Sequence, residues 1–417
     1  MTINNEHKKL NVPNLRFPEF HGEWEKCKVS DLLDFYSTNS LSWDKLEYGT
    51  TNIQNLHYGL IHVGLPTMVD IDKDNLPNII DGNVPKNYEL CKEGDIVFAD
   101  ASEDTNEVAK AVEYYNLNGK KVVCGLHTIH GRDNKNKTVV GYKGYTFSSM
   151  SFHHQIRRIA QGTKIYSINS KNFSECYVGI PSKDEQQKIA DLLRLIDERI
   201  STQNKIIEDL KKLKSAIIEN VFDDKHSERL QLDNVGSYIR GLTYSSNDVV
   251  EHGGTLVMRS NNIVNGSLLD YNNNVVFVNK QMSAEQQLQN GDVVICMANG
   301  SSSLVGKSSF YDGSCHSPIT VGAFCGIYRS KEPIVKWLFQ TNKYRRYIWN
   351  SLQGGNGAIA NLNGEDILNM SFSIPNATIK DTCVKMLTSV DSALENNMSL
   401  CALYTLQKQH LLRLMFI

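Results

Sequence analysis

The stretch Asp184–Phe222, DEQQKIADLLRLIDERISTQNKIIEDLKKLKSAIIENVF, contains neither proline nor glycine. Its apolar residues recur in alternating steps of four and three: Ile189, Leu193, Ile196, Ile200, Ile207, Leu210, Ile217 and Val221. Two positions of that frame are polar, Gln203 and Lys214. Moving 194 residues along the chain finds the frame again as Cys383, Leu387, Val390, Leu394, Cys401, Tyr404, Leu411 and Met415, with Asn397 and Lys408 at the polar places. A heptad pattern held over about five repeats predicts two long helices that pack on each other. The alternative is a single amphipathic helix laid on a globular core. Because both copies share the same polar exceptions, mutual packing is favoured. At ~1.5 Å per residue such a helix is roughly 58 Å long, about 17 base pairs of B-DNA at ~3.4 Å per step.

The regions ahead of the two helices are also repeated. Gly94-Asp95-Ile96-Val97-Phe98-Ala99 returns as Gly291-Asp292-Val293-Val294-Ile295-Cys296, and Val108-Ala109-Lys110 as Val305-Gly306-Lys307, both at an offset of 197. Gln161-Gly162 matches Gln353-Gly354, Ile180-Pro181 matches Ile374-Pro375, and Val221-Phe222 matches Met415-Phe416, with small drifts that loop insertions produce. One unit was duplicated. Each copy is a mixed α/β globular part followed by a helix, an α+β protein with a pseudo-two-fold repeat. The expected boundaries are 1–180 for the first globular domain, 181–223 for a central helix, 224–375 for the second domain and 376–417 for a C-terminal helix.

With 417 residues, 41% of them hydrophobic and 22% charged, the chain suits a soluble protein with two or three cores. No apolar run is long enough to span a membrane, and the N-terminal residues do not read as a secretory signal. The nine cysteines form no CxxC pair, so they are expected to be reduced thiols in a cytoplasmic protein. A net charge of −2 conceals strong local bias. Ser30–Asn106 carries 14 acidic and 4 basic residues, whereas Glu107–Lys171 carries 11 basic and 3 acidic, and Ser303–Arg346 carries 7 basic and 2 acidic. Local positive potential is what a phosphate-binding surface needs, whatever the whole-chain charge.

Competing motifs are poorly formed. Gly306-Lys307-Ser308 suggests a phosphate loop, but the required upstream glycine falls on Ser301. His127, His130, His153 and His154 have no cysteine or carboxylate at ligand spacing, so no metal site is expected. The chain has no Pro-Pro, and therefore no adenine-methylation motif, and no nucleotide fingerprint or Ser/His/Asp signature, so no catalytic residue is expected. In Trp337–Tyr347 the spacing predicts a helix with Trp337, Tyr344 and Ile348 inside and Lys336, Lys343 and Arg346 outside.

Ile180-Pro181-Ser182-Lys183-Asp184-Glu185-Gln186-Gln187-Lys188-Ile189-Ala190, running into Leu210-Lys211-Lys212-Leu213 and Val221-Phe222, resembles the central region of type I restriction-modification specificity subunits. The Gly-Asp-Val-Val strand with Asn299-Gly300 and Val305-Gly306-Lys307 resembles that family's target-recognition-domain motif. The second copy departs from the pattern, with Ile379-Lys380 at the places of Glu185-Gln186. The resemblance implies two tandem target recognition domains separated by two long antiparallel coiled-coil helices. It implies a chain without catalysis or cofactor of its own, reading a split target in double-stranded DNA. Two methyltransferase subunits and two motor-nuclease subunits would be its partners, and S-adenosylmethionine, ATP and magnesium would belong to them. On this reading Lys110, Arg132, Arg157, Arg158, Lys307, Lys343, Arg345 and Arg346 are candidate DNA contacts. Glu185, Gln186, Lys211 and Lys212 are candidate partner contacts. Gln203 and Asn397, the midpoints of the two helices, are expected to meet as a register-fixing amide pair. A coiled-coil protein adaptor without DNA specificity is the alternative function.

If each copy reads its own half-site, exchanging residues 230–373 for those of a relative should change one half of the methylated motif. Genome-wide mapping of methylated adenines after co-expression with the cognate methyltransferase checks this, and a change in both halves would contradict it.

Overall fold

A computed structural model describes residues 10–223, 228–352 and 360–417. The chain divides into two compact units, Met1–Asn204 with Ser399–Ile417, and Lys205–Met398. Each unit therefore contains one globular head together with about half of each long helix. The helices span Lys183–Val221 and Ala377–Leu414, 39 and 38 residues. The expected segment at 337–347 instead forms two pieces, Val335–Leu338 and Asn342–Leu352, but Trp337, Tyr344 and Ile348 are buried as anticipated. The repeat partner Gln353-Gly354 lies outside the described residues.

The heads are built on the same plan. In the first, a five-stranded sheet runs in the order Asp34–Tyr36, Thr128–Arg132, Ile96–Ala99, Ala111–Asn116, Met68–Asp70. In the second, Gly236–Arg240, Cys325–Ser330, Val293–Cys296 and Ser308–Phe310 follow the same order without the last strand. The Gly-Asp repeat opens the central strand of each. Gly94 and Gly291 adopt φ of +81° and +89°, a left-handed turn that suits residues without a Cβ. The second sheet of each head joins one parallel pair, Val122–Cys124 with Gln54–Leu56 and Ile319–Val321 with Thr255–Met258, to two antiparallel neighbours. A two-strand ladder then leads into each helix, Glu25–Lys28 against Tyr177–Ile180 and Glu228–Gln231 against Ser371–Ile374.

The heptad frame is recovered position by position. In both helices all ten frame residues are buried or half-buried, while most of their neighbours face solvent. Both expected packings occur. In the first unit Ile189 and Leu193, with Leu412, Met415 and Phe416, enter the core of the head beside Trp24, Tyr142 and Val178. In the second, Ile218, Val221 and Phe222 do so with Cys383 and Leu387, beside Leu230, Trp337 and Phe372. Burying each such side chain is worth ~1.5–3 kcal/mol, which holds the helix ends to the heads.

The polar frame positions are explained by ion pairs. Lys408 Nζ lies 2.6 Å from Asp197 in the first unit, and Lys214 Nζ lies 2.7 Å from Asp391 in the second. Asp391 is 194 residues beyond Asp197, and Lys408 is 194 beyond Lys214, so one contact is made twice. Each carboxylate also accepts from its head: the Tyr145 hydroxyl donates to Asp197 at 2.9 Å and the Trp337 indole to Asp391 at 3.0 Å. These pairs run antiparallel, since Arg199 meets Tyr404 and Asn204 meets Cys401 in the same unit as Asp197–Lys408.

That register changes the reading of the central amides. With Asn204 against Cys401, Gln203 is level with Ala402; with Lys214 against Asp391, Asn397 is level with Glu208. Asn397 Nδ2 donates to Ala393 of its own helix at 2.7 Å, and Gln203 Oε1 is buried without a hydrogen-bond partner. Asn397 thus bonds within its own helix, and within each unit the register sets the amide opposite a residue other than the expected one. Equating midpoints ignored the few-residue stagger that the ion pairs impose.

Breaking one buried ion-pair partner leaves an uncompensated charge, at a cost of about 3–5 kcal/mol. Asp391→Ala should therefore destabilise the second unit by that amount in urea unfolding, because Lys336 and Trp337 lose this acceptor and Lys214 loses its counter-charge, keeping only the Gly266 carbonyl. A Lys214→Met, Asp391→Leu double variant should recover much of the loss. Equal stability of Asp391→Ala and the parent would refute the role of the pair.

Candidate nucleic-acid interface

The basic candidates separate into three groups once their surroundings are known. Arg132 belongs inside. Its guanidinium makes a two-pronged contact with Asp95, both bonds 2.8 Å, pairs with Glu89 at 2.6 Å and donates to the Leu90 carbonyl. The second head repeats the two-pronged contact and the carbonyl bond, with Arg329 on Asp292 at 2.8 and 2.6 Å and on the Gln287 carbonyl, while the Glu285 carbonyl stands in for the Glu89 carboxylate. The Lys92 and Gln289 backbone N–H groups complete the two carboxylates. Arg132 is accordingly a fold-holding residue and not a surface contact. The pair was missed because its members stand 37 residues apart, although Asp and Arg each recur at the offset of 197. Burial pushes the Asp95 carboxyl up, but bonds from His130 and Arg132 outweigh it and hold the group below the ordinary carboxylate range. The Asp292 contact, first through its hydrogen bonds, raises Arg329 above the usual arginine value.

Glu185 and Gln186 are also internal. Glu185 holds Arg16 through bonds of 2.7 and 2.8 Å and accepts from the Trp24 indole. Gln186 bonds the backbone of Lys137, Val139 and Pro181. Both are buried and attach the start of the helix to its own head, so neither is available to a partner. A carboxylate and an amide at the first turn of the helix here bond the side chains and loops of the head, an energetic role that a surface-oriented reading overlooked. Lys211 and Lys212 remain exposed, beside exposed Leu213.

The remaining cations gather where a loop meets a short helix. In the first head, Lys110 pairs with Glu107 at 2.8 Å, and His62 approaches the same carboxylate at 3.8 Å. Arg157, on helix Met150–Ile159, donates to Asn106 of that loop at 3.0 Å, while Arg158 is exposed. Between them, burial and the charges of Arg157, His154 and Lys110 hold His153 below its ordinary value against the pull of Glu107. In the second head Lys307 and Arg345 line one groove of about 390 Å³ with Asn265, Ser302 and the exposed Trp349. Arg346 is exposed on the same helix, and Lys343 is half-buried. Gly306 is required here: a Cβ would lie 2.7 Å from Ile348, so the helix sits directly on the loop. Lys307-Ser308 leads into the strand Ser308–Phe310 and not into a helix, which removes the phosphate-loop reading.

Rings flank both basic groups. In the first head Trp43, His57, Tyr58 and His127 form a chain of contacts with centroid spacings of 4.6, 4.7 and 5.2 Å. Trp43 is 45% exposed. His127 corresponds by the offset of 197 to Phe324, 66% exposed, which lines a groove of about 450 Å³ with Tyr244, Arg259 and Asn261. Apart from His127, weighed as a metal ligand, sequence pattern did not single out these rings, because an isolated exposed aromatic carries no periodic signal. Such an array can contact phosphates through its cations and base edges or sugars through its rings.

Two copies of one α+β head each place basic side chains where a loop meets a short helix. A family model described as type I restriction modification DNA specificity domain matches residues 22–212. The putative type I restriction enzyme MjaX specificity subunit of Methanocaldococcus jannaschii is 25% identical over 221 residues, 52% of this chain and 49% of the relative. The type I restriction enzyme EcoKI specificity subunit of Escherichia coli K12 is 34% identical over 155 residues, 35% of this chain and 31% of the relative. Among solved structures, the S subunit of a type I restriction-modification system from M. genitalium superposes with a TM-score of 0.58 at 15% identity. That superposition covers 97% of this chain and 99% of the other, and it shows a shared fold. Residues 22–212 thus match the type I restriction-modification DNA specificity domain, and the chain as a whole shares the fold of a solved S subunit. It matches the curated relatives over about half of their length or less.

Arg132→Met should cost about 3–5 kcal/mol, since it strands the Asp95 charge. Asp95 contributes stability that is fully present above its unfolded pKa of about 3.9 and is lost as pH falls through its lower folded value. Without Arg132 that folded value rises, so acid unfolding followed by circular dichroism should begin at higher pH. An unchanged acid transition would show that the pair does not hold the fold.

Proposed function

We propose that this chain is the sequence-reading subunit of a type I restriction-modification complex, with each head contacting one half of a bipartite target in double-stranded DNA. The observation that carries the reading is the repeated meeting of a lysine loop and a basic helix, Lys110 with Arg157 and Lys307 with Arg345. Two copies of one face suit a target with two specific parts. The match of residues 22–212 to a DNA specificity domain supports DNA as the class of ligand. The chain carries no catalysis on this reading. It scaffolds two methyltransferase and two motor-nuclease subunits, to which S-adenosylmethionine, ATP and magnesium belong. Among the described residues no helix is long and apolar enough to cross a membrane, and a cytoplasmic location accords with DNA as ligand. The exposed Lys211, Lys212 and Leu213 give partners a mixed basic and apolar helix face to dock on.

Lys110, Arg157, Arg158, Lys307, Arg345 and Arg346 act on phosphates, so removing their charges should weaken binding to all duplex sequences alike. Each lost contact should also flatten the dependence of log K on log salt by about one unit. Fluorescence anisotropy with cognate and scrambled duplexes at several salt concentrations measures both effects. Loss of discrimination at an unchanged slope would make these residues base readers. No salt-dependent binding at all would favour the protein adaptor.

A further inference from the structure

Cys91, Cys124 and His130 converge inside the first head. The two sulfurs are 3.4 Å apart, and one ligand atom from each of the three residues lies within 4.8 Å of the others. All three side chains are buried, His130 completely. Three separate segments bring them together: the residue after the bridge of Leu90 to Val123, the end of strand Val122–Cys124 and the middle of strand Thr128–Arg132. Spacing along the chain therefore hid a cluster that strand pairing assembles, contrary to the expectation of no cysteine within reach of a histidine.

Three features exceed what packing alone requires. His130 Nε2 is engaged by Asp95 at 2.7 Å, and Asp95 is itself fixed by Arg132. This is the carboxylate–histidine relation that orients a metal-bound imidazole and leaves its other nitrogen to coordinate. That other nitrogen, Nδ1, is buried without a hydrogen-bond partner. The Tyr114 hydroxyl, which interacts electrostatically with both thiols, is equally buried and unpartnered. Two orphaned polar groups in one pocket of core cost about 1–3 kcal/mol each unless something satisfies them.

The second head supplies an internal control. The Cys91 N–H bonds the Val122 carbonyl at 2.9 Å, and 197 residues later the Leu288 N–H bonds the Ile319 carbonyl at 2.9 Å, so the two positions are equivalent. By the same offset Cys124 becomes Val321 and His130 becomes Ile327, and Leu288, Val321 and Ile327 pack in one apolar cluster. The fold thus tolerates an entirely apolar trio at these places. Only the first head replaces it with two thiols and an imidazole.

We propose that Cys91, Cys124 and His130 bind one zinc ion, with Asp95 orienting the histidine and the Tyr114 hydroxyl as the remaining polar group of the site. Zinc takes thiolate and imidazole at ~2.3 and ~2.0 Å, and two thiolates on a tetrahedral ion stand ~3.8 Å apart, within a few tenths of an ångström of the sulfur separation here. Two thiolates cancel the charge of the ion, so the buried site is neutral overall. Binding releases the two thiol protons to solvent and leaves the imidazole neutral. The ion would cross-link three segments of the head and add to its stability. This inference is independent of what the head binds at its surface.

The test uses the full chain, reduced, stripped with a chelator and titrated with Zn²⁺. One equivalent should bind and raise the unfolding temperature, and Co²⁺ in its place should give thiolate-to-metal charge-transfer absorption. The Cys91→Leu, Cys124→Val, His130→Ile variant, which takes the second head's residues, should fold and lose that equivalent. Should this variant fail to fold, Cys124→Ser alone should weaken zinc binding at least about tenfold. Absence of zinc uptake by the parent chain would overturn the proposal. So would undiminished uptake by either variant, or a Cys91–Cys124 disulfide found by mass spectrometry in place of the metal.

Discussion

The carboxylates Asp197 and Asp391 are the constraint from which the rest of the structure follows. Each stands on one long helix, takes a lysine from the other helix and accepts a hydrogen bond from an aromatic side chain of its head. Three elements are therefore pinned at one charge, buried at Asp391 and half-buried at Asp197. Dispersion and hydrophobic contacts could hold the helices and heads together in several registers, because apolar surfaces slide at little cost. A buried ion pair cannot slide, since displacement leaves charges without partners. The apolar frame provides affinity between the elements, and the charges select one alignment.

Duplication makes the molecule its own comparison. What recurs in both heads is architectural: the Gly-Asp turn, the Asp–Arg pair that closes it, the loop resting on a helix and the ladder leading into the long helix. What differs is confined to places the architecture leaves open. The exposed ring is His127 in one head and Phe324 in the other, and the polar trio of the first core is apolar in the second. The proposed function needs this division, because two half-sites of different sequence require different surfaces on equal scaffolds.

The long helices and the duplication were legible in the sequence, since period and offset are one-dimensional properties. Every frame residue from Ile189 to Val221, and from Cys383 to Met415, is at least half-buried. The ion pairs were half-legible: Lys214 and Lys408 stood out as polar intrusions, but their partners Asp197 and Asp391 lie outside the heptad frame and looked like solvated charge. Arg132, Glu185 and Gln186 show the converse. A charged residue in a basic segment or a helical motif reads as surface unless its partner is known, and the partners Asp95 and Arg16 are distant in sequence. Of the expected DNA contacts, Lys110 and Arg157 gather in one head and Lys307 and Arg345 in the other, which sequence could not place because strand pairing decides it.

Hydroxyl-radical footprinting of the full chain, assembled with its methyltransferase partner on a duplex carrying its methylation motif, tests the central claim most directly. Two protected stretches separated by a gap, each lost when the basic residues of one head are neutralised, are the predicted result. A single continuous footprint, or protection that survives neutralisation of both heads, would contradict the account.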